Sequence, residues 1–213
     1  MQVPSLHAPY LLMAALFGLI QAVELLVPVG AVVGYVGPGI LVAAGVTHFM
    51  WLHRVFKDGE ACLGPALPMT AVRVLVFAGL TVVVAPVWAS FTFMVLLRAT
   101  VNGYVERGSE VPAHLDRVAR EASGLVVTAA VLVLVEFVVY FQLNEAGVLS
   151  DEIETLPPVG EIIGAPATIG FALFKLVCAV YWTWFVARAV PALYAAFGDA
   201  LRAGTQRNDD GSI

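Results

Sequence analysis

Three ionisable side chains lie inside long apolar stretches of this sequence: Glu24, Glu136 and Lys175. Lys175 is the only charge between Ala165 and Ala187. At membrane depth such a residue costs about 3 kcal/mol or more, so it usually faces the interior of a helix bundle, finds a partner, and marks a path for ions or protons. The chemistry to expect is therefore an ion pair inside a membrane.

Glu136 is the predicted partner of Lys175. At 1.5 Å per helical residue, Glu136 stands about 10 Å below the end of its apolar run near Leu143, and Lys175 about 13 Å below the start of its own run at Pro166. One loop joins the two runs, so they are antiparallel neighbours and both side chains lie at the same depth. The pair would gate protons, ions or a polar headgroup, or would only fix helix register, unless Lys175 extends to the outer interface instead.

Gln21 and Glu24 lie three positions apart in the first apolar run and share one helical face. This spacing predicts a polar stripe turned into the bundle. Glu24 also distinguishes two topologies, because it lies near the outer end if the chain crosses six times and near the inner end if it crosses five times. Only the outer position would let Glu24 join Lys175.

The histidines bear on a different function, the binding of haem or quinone. A b-type haem needs axial ligands from facing helices. Only His48 lies deep in an apolar run, His53 follows on the same helix, and His7 and His114 lie outside the runs. We therefore predict no cofactor and interpret His48 as a hydrogen-bonded interior residue or a donor at a helix interface. A membrane anchor subunit of an electron-transfer complex, with a quinone or haem site, is the alternative function.

Sequence motifs for catalysis and metal binding are absent. The sequence contains no H-E-x-x-H, no nucleophile elbow and no phosphate-binding loop. Cys62 and Cys178 do not form a C-x-x-C pair. We predict a non-enzymatic protein without a catalytic residue or a metal site. The net charge of -5 and the lack of a basic cluster argue against nucleic acid as a partner.

The elements that must position these residues are long apolar helices. The 213 residues are 60% hydrophobic and 13% charged, and the mean hydropathy of +0.89 is well above that of a soluble domain. We predict an all-α, polytopic transmembrane helical bundle with five, alternatively six, membrane-inserted helices, forming one domain over residues 1–203 with a disordered polar tail over 204–213. Five runs are long enough to cross about 30 Å of hydrocarbon: Tyr10–Pro28, Gly39–Phe56, Met69–Leu97, Gly124–Leu143 and Pro166–Val190.

The distribution of cations predicts the orientation, because short loops rich in Lys and Arg stay in the cytoplasm. The loop over 144–164 has acids and no cation, which places it outside the cell, and arginines after the last run place the C-terminus in the cytoplasm. The third run has cations at both ends. A single helix over Val74–Leu97 gives five crossings and an outside N-terminus, whereas a turn at Ala85–Pro86 gives six and an inside N-terminus. The unbroken apolar length favours five.

Two local patterns complete the predicted architecture. The tripeptide Gly37-Pro38-Gly39 predicts the turn between the first two helices, and the amphipathic segment after Val190 is expected along the inner membrane surface. The apolar runs, the distribution of cations and the ionisable residues within the runs together predict a multi-pass protein of the cell membrane. Its role would be transporter-like, or that of an accessory or scaffold component. Its partners would be the lipid bilayer and another membrane protein or a second copy of the chain.

Overall fold

The fold is built from helices throughout the part of the chain that the structure describes. The computed structural model describes residues 2–26, 32–64, 67, 69–74, 85–145 and 164–210. These residues contain no strand, so the predicted all-α class is confirmed. Five long helices have described bounds: α1 His7–Leu26, α2 Val32–Leu63, α3 Ala85–Glu106, α4 Ala113–Glu145 and α5 Ala165–Asp210.

Helix α1 runs antiparallel to α5. Gln21 contacts Lys175, whereas Tyr10, eleven residues earlier, contacts Trp182, seven residues later in α5. We call the end of the bundle at the C-terminus of α1 and the N-terminus of α5 the upper end, and the opposite end the lower end. The first helix therefore begins toward the lower end, which is also the end at which the chain terminates.

Helix α4 is also antiparallel to α5. Glu136 lies beside Lys175, and Glu121 lies beside Arg188 further down the bundle. The earlier residue of α4 thus contacts the later residue of α5, and the later residue of α4 contacts the earlier one. The antiparallel arrangement predicted from the single loop between the last two runs is therefore observed.

Helices α2 and α3 run in the same direction as α5. Trp51 stacks on Phe93 near the middle of the bundle, with ring centroids 5.6 Å apart. Below this contact, Tyr194 of α5 donates a hydrogen bond to Asp58 of α2, and Tyr104 of α3 donates one to a carboxylate of α5. Because α2 and α3 are parallel, the chain between Leu63 and Ala85 must return toward the upper end.

The described residues before α3 carry the start of this return. The backbone N–H of Ala71 donates to Glu60 Oε1 at 2.6 Å at the lower end, and a helical turn follows over 71–74. The indole N–H of Trp88 then donates to the carbonyl of Val74 at 3.3 Å. In one continuous helix these residues would be about 21 Å apart. The single helix over Val74–Leu97, on which the five-crossing interpretation depended, is therefore wrong, and residues 75–84 lie outside the described part.

The turn predicted at Gly37-Pro38-Gly39 is also wrong, because these residues lie inside α2, which begins at Val32. A helix in apolar surroundings tolerates a proline near its start, where only one hydrogen bond is lost and neighbouring groups can compensate. The apolar residues on both sides of the tripeptide favour continuing the helix. Residues 27–31, between α1 and α2, lie outside the described part.

A glycine cap ends α3 and sets the connection to α4. Gly108 has a positive φ of 64°, and its N–H donates to the carbonyl of Val105. The N–H of Ser109 donates to the carbonyl of Tyr104. These two hydrogen bonds form the Schellman motif, in which glycine avoids the steric cost of the left-handed conformation. Pro112 then precedes α4, so the two helices turn back on each other within a few residues.

The densest packing lies in the lower half of the bundle. In the upper half, by contrast, large apolar side chains of α4 and α5 are exposed, including Leu134, Phe137 and Val177. Interior helices of a soluble protein would be mostly buried there. The largest fully buried side chains are mostly aromatic and leucine residues: Trp51, Tyr194, Phe56, Phe93, Phe185, Phe197, Leu52, Leu96, Leu97, Leu115 and Leu193.

Helix α5 continues well past the predicted apolar run. It passes through Pro191 without ending and reaches Asp210, into the stretch expected to be a disordered tail. Leu193, Tyr194 and Phe197 are at most 1% exposed, because they pack into the lower core. Three residues of the apolar face predicted to lie along the membrane surface are therefore covered by the protein's own helices, whereas the fourth, Leu201, is 45% exposed.

Helix α1 approaches α5 closely at Gly18, and this contact gives a first prediction. A Cβ atom on Gly18 would stand 2.2 Å from the Cβ of Ala179. We expect Gly18→Ala to destabilise the protein by about 1–3 kcal/mol, because the two backbones must separate. A matched control is Gly170→Ala in α5, where no atom lies within 4 Å of the added methyl group.

Thermal unfolding of both glycine variants in detergent measures this difference. The control should be neutral or gain up to about 1 kcal/mol, because alanine favours helix more than glycine does. Equal midpoints for the two variants would show that α1 and α5 do not pack at this distance.

Candidate functional site: a buried polar centre

Lys175 joins three helices through its ammonium group. Its Nζ lies 2.9 Å from Glu136 Oε1 in α4 and donates a hydrogen bond of 2.7 Å to Gln21 Oε1 in α1. The same nitrogen lies 5.4 Å from the ring centroid of Phe171, within range of a cation–π interaction. We call Gln21, Glu136 and Lys175 the polar centre.

The polar centre is largely removed from solvent. The Lys175 side chain is 13% exposed and the Glu136 side chain 24% exposed. Lys175 has three donors and no acceptor, and two of its donors are used by partners on other helices. The ammonium is thus neutralised by one carboxylate and further held by an amide oxygen, which is the arrangement that makes a buried ion pair tolerable.

The polar centre lies in the upper half of the helix bundle. Lys175 lies seven residues above Trp182 in α5, a rise of about 10 Å, and the upper end of α5 lies about 15 Å higher still. Gln21 comes from the opposite direction on α1. Neither neighbour of Lys175 in the sequence is polar, so the position of this charge follows from helix direction and register alone.

Three of the five predicted polar residues therefore meet, and two do not join them in the described structure. Glu136 and Lys175 meet at the depth that their positions predicted, whereas the contact of Gln21 with Lys175 was not predicted and is seen only in the structure. Glu24 lies in α1, but its side chain lies outside the described residues. His48 lies elsewhere, where its Nδ1 is 3.2 Å from the hydroxyl of Tyr10.

Below the polar centre, a layer of aromatic side chains crosses the bundle. The Tyr10 ring stacks on Trp51 with centroids 4.0 Å apart and planes 7° apart. The indole of Trp182 donates a 2.6 Å hydrogen bond to the Tyr10 hydroxyl, and Phe93 packs edge-on against Trp182. We call Tyr10, Trp51, Phe93 and Trp182 the aromatic level.

Sequence reasoning missed the aromatic level, although one signal was present. His7 and Tyr10, like His48 and Trp51, are three residues apart and so share a helical face. In each helix this pairing puts an imidazole beside a large ring. His48 is half-buried, and its ring contacts the hydroxyl of Tyr10 on α1.

The two histidines near the aromatic level, His7 and His48, lie beside the ring of Trp51. His7 and His48 each have ring centroids slightly over 6 Å from Trp51, and the Trp51 ring also stacks with Tyr10 and Phe93. Across the described ranges, no group of three or more His, Cys, Asp or Glu side chains could hold a metal ion.

A second polar set ties the lower ends of α2 and α3 to α5. Tyr194 donates to Asp58 Oδ2, which also accepts from Arg54 at 3.2 Å. Tyr104 donates to Asp199 Oδ2 at 2.8 Å. Burial, and then the hydrogen bond to the Asp199 carboxylate, raise the pKa of Tyr104 to about 12. Its hydroxyl therefore stays a donor at neutral pH.

The described side chains thus provide one charged centre held by three helices, an aromatic layer beneath it, and a hydrogen-bonded lower end. Chemically, the centre can exchange or hold a proton, bind a small ion, or lock the helices in register. No protein-family model matches this chain, and no curated protein and no solved structure matches it.

Proposed function

We propose that this chain is a multi-pass membrane protein whose upper half lies in the bilayer. Two described helices are long and apolar enough to cross a membrane, within Ala113–Val139 and Ala165–Ala203. Only 22% and 28% of their most apolar windows are buried. A core helix of a soluble protein would hide these residues, so their exposure supports contact with lipid.

The length of α1 supports the same placement. Its 20 residues give a rise of about 30 Å, the thickness of a bilayer core. Its exposed residues Leu12, Leu16, Leu19 and Val23 follow helical spacing and form one apolar stripe. With α1 in the hydrocarbon, Gln21 lies about 8 Å below the upper end of α1, so the polar centre lies in the upper half of the membrane, and the aromatic level lies near the lower interface.

In this proposal the lower end is cytoplasmic and the chain crosses six times. The parallel directions of α2 and α3 require a return segment between them, and α1 begins toward the same end at which α5 terminates. Arg54, Arg98 and Arg188 lie below the aromatic level, as expected for the cytoplasmic side. The acidic 144–164 loop would face outside. Both termini then lie in the cytoplasm.

We infer that the protein is a non-enzymatic accessory or scaffold component, whose polar centre locks α1, α4 and α5 together. The single observation that carries this inference is the double engagement of Lys175, at 2.9 Å from Glu136 and 2.7 Å from Gln21. A charge with its partners already in place is suited to holding helices in register. A site for a mobile cargo would need groups left without partners.

A transporter-like role is the second candidate, favoured by one observation. The Glu136 side chain is 24% exposed and is therefore not completely enclosed by the helices. Proton transfer through membranes commonly uses such a carboxylate beside a cation. In this case the ion pair would break and re-form during turnover.

Cysteine labelling tests the membrane placement and the topology. In a variant without Cys62 and Cys178, single cysteines replace Ser5 near the N-terminus, Ser109 between α3 and α4, and Ser150 in the acidic loop. In intact cells, a membrane-impermeant thiol reagent should label only position 150, and lysis should expose the other two. Labelling of position 5 in intact cells would contradict six crossings, and a position 150 that reacts only after lysis would contradict the membrane placement.

Proton flux into proteoliposomes separates the two candidate roles. The scaffold proposal expects the same flux for the native protein, the Glu136→Gln variant and empty liposomes. A flux that depends on native Glu136, and disappears in the variant, would replace the scaffold role with transport. The variant should be checked for correct insertion by the labelling pattern above.

A further inference from the structure

A cavity of about 280 Å³ lies between α3 and α4 in the lower half of the bundle. Its polar lining comes from Arg98 and Asn102 on α3 and from Arg120, Ser123 and Asp116 on α4. Two guanidinium groups against one carboxylate give this lining an excess positive charge. Such a cavity is complementary to an anion.

The two arginines of the cavity each contact a neighbouring side chain and remain accessible, and the Arg120 side chain is 74% exposed. Arg98 Nη2 donates to Ser123 Oγ at 3.1 Å, and Arg120 pairs with Asp116 at 2.6 Å, one helical turn away. Each guanidinium has five N–H donors in a planar fork, so each keeps donors for a further oxygen ligand. Oxygens of a phosphate group match this geometry better than a single carboxylate oxygen does.

The height of the cavity matches the level of lipid headgroups. Arg98 lies five residues below Phe93 of the aromatic level, a rise of about 8 Å. Arg120 is adjacent to Glu121, which contacts Arg188 about 9 Å below Trp182. If the lower hydrocarbon boundary lies near the aromatic level, both arginines lie just outside it, where phosphates are found.

An apolar path leads upward from the cavity along the same helix faces. On α4, Val127 and Val131 follow Ser123 at intervals of four residues, and they are 62% and 43% exposed. On α3, Phe91 lies two turns above Arg98 on the same side and is 36% exposed. We call the cavity and the apolar surface above it the α3–α4 groove. Its lower part is polar and suits a lipid headgroup, and its upper part is apolar and suits the acyl chains.

We propose that the α3–α4 groove binds an anionic phospholipid, with its phosphate held by Arg98, Arg120 and Ser123 and its acyl chains along Val127 and Val131. This inference rests on the membrane placement proposed above. Basic cavities between transmembrane helices on the cytoplasmic side recognise anionic headgroups by the same electrostatic attraction. The bound lipid would anchor the short α3–α4 hairpin at the membrane surface.

Titration of the detergent-purified full chain with a phosphatidylglycerol tests the proposal, with phosphatidylcholine and inorganic phosphate as parallel arms. Binding is followed by native mass spectrometry and by the thermal midpoint. We expect phosphatidylglycerol to bind the native protein more tightly than the other two ligands. Two lost guanidinium contacts should weaken this binding about 30-fold in the variant Arg98→Gln/Arg120→Gln.

The matched control is Arg202→Gln, which removes an exposed cation of the same end that does not line the cavity. It should bind phosphatidylglycerol like the native protein. Equal affinity for phosphatidylcholine, tight binding of inorganic phosphate alone, or unchanged binding by the double variant would each overturn the lipid site. If the cysteine labelling supports six crossings while this titration fails, only the lipid site is lost; failed labelling removes the membrane placement itself.

Discussion

Replacing Lys175 by Met should destabilise the protein by about 3–5 kcal/mol, because the Glu136 carboxylate stays buried without its cation. The amide oxygen of Gln21 also loses its 2.7 Å donor. The corresponding fall in the thermal midpoint is about 10 °C for a chain of this size. Unfolding followed by tryptophan fluorescence in detergent measures it.

The double variant Lys175→Met/Glu136→Gln decides whether the pair itself carries this loss. With both charges removed, no uncompensated ion remains, so we expect the double variant to recover most of the stability. The coupling energy between the two positions should be about 2 kcal/mol or more. Additive losses would show that the two groups do not interact.

The exposed pair Arg202–Asp199 serves as the control for charge removal. The Arg202 side chain is 78% exposed, so Arg202→Met should change stability by less than about 1 kcal/mol. A loss in this variant as large as that of Lys175→Met would point to a general effect of charge on the bundle.

Replacing Trp51 by Ala in the native protein should lower the free energy of unfolding by about 3–5 kcal/mol, the usual range for deleting a large buried aromatic side chain. Trp51 is completely buried and stacks with both Tyr10 and Phe93. Its removal leaves a cavity where α1, α2 and α3 meet. The midpoint of thermal unfolding in detergent reports this loss.

Two matched variants test whether packing at the aromatic level is responsible. Trp51→Phe should be much milder, because a ring remains and the indole N–H of Trp51 has no hydrogen-bond partner among the described residues. Trp184→Ala should cost less than about 1 kcal/mol, since Trp184 is 49% exposed. Similar losses at positions 51 and 184 would contradict an aromatic core at this level.

The Glu136–Lys175 contact could be predicted from the sequence for a physical reason. A charge in an apolar run has few tolerable environments, and helical rise converts sequence position into depth. Two antiparallel helices joined by one loop leave little freedom in how their residues align. The contact of Gln21 with Lys175 was not predicted, because the spacing of Gln21 and Glu24 indicates only a shared helical face and not the helix that this face meets.

The number of helices between α1 and α4, and the directions in which they run, could not be predicted from the sequence in the same way. An apolar run from Val74 to Leu97 has the composition of one long helix whether or not the chain turns inside it. The hydrogen bond from Trp88 to the Val74 carbonyl settles that one straight helix does not connect them. It depends on two groups fourteen residues apart, which no local pattern encodes.

Composition and helical periodicity alone were sufficient for an all-helical chain and for the meeting of Lys175 with Glu136, because both depend on local spacing and on the cost of an unpaired charge. The aromatic level, the parallel course of α2 and α3, and the burial of Leu193, Tyr194 and Phe197 arose only when the helices packed. The type of an apolar residue does not indicate whether lipid or protein covers its side chain. Packing between segments distant in the chain makes that choice.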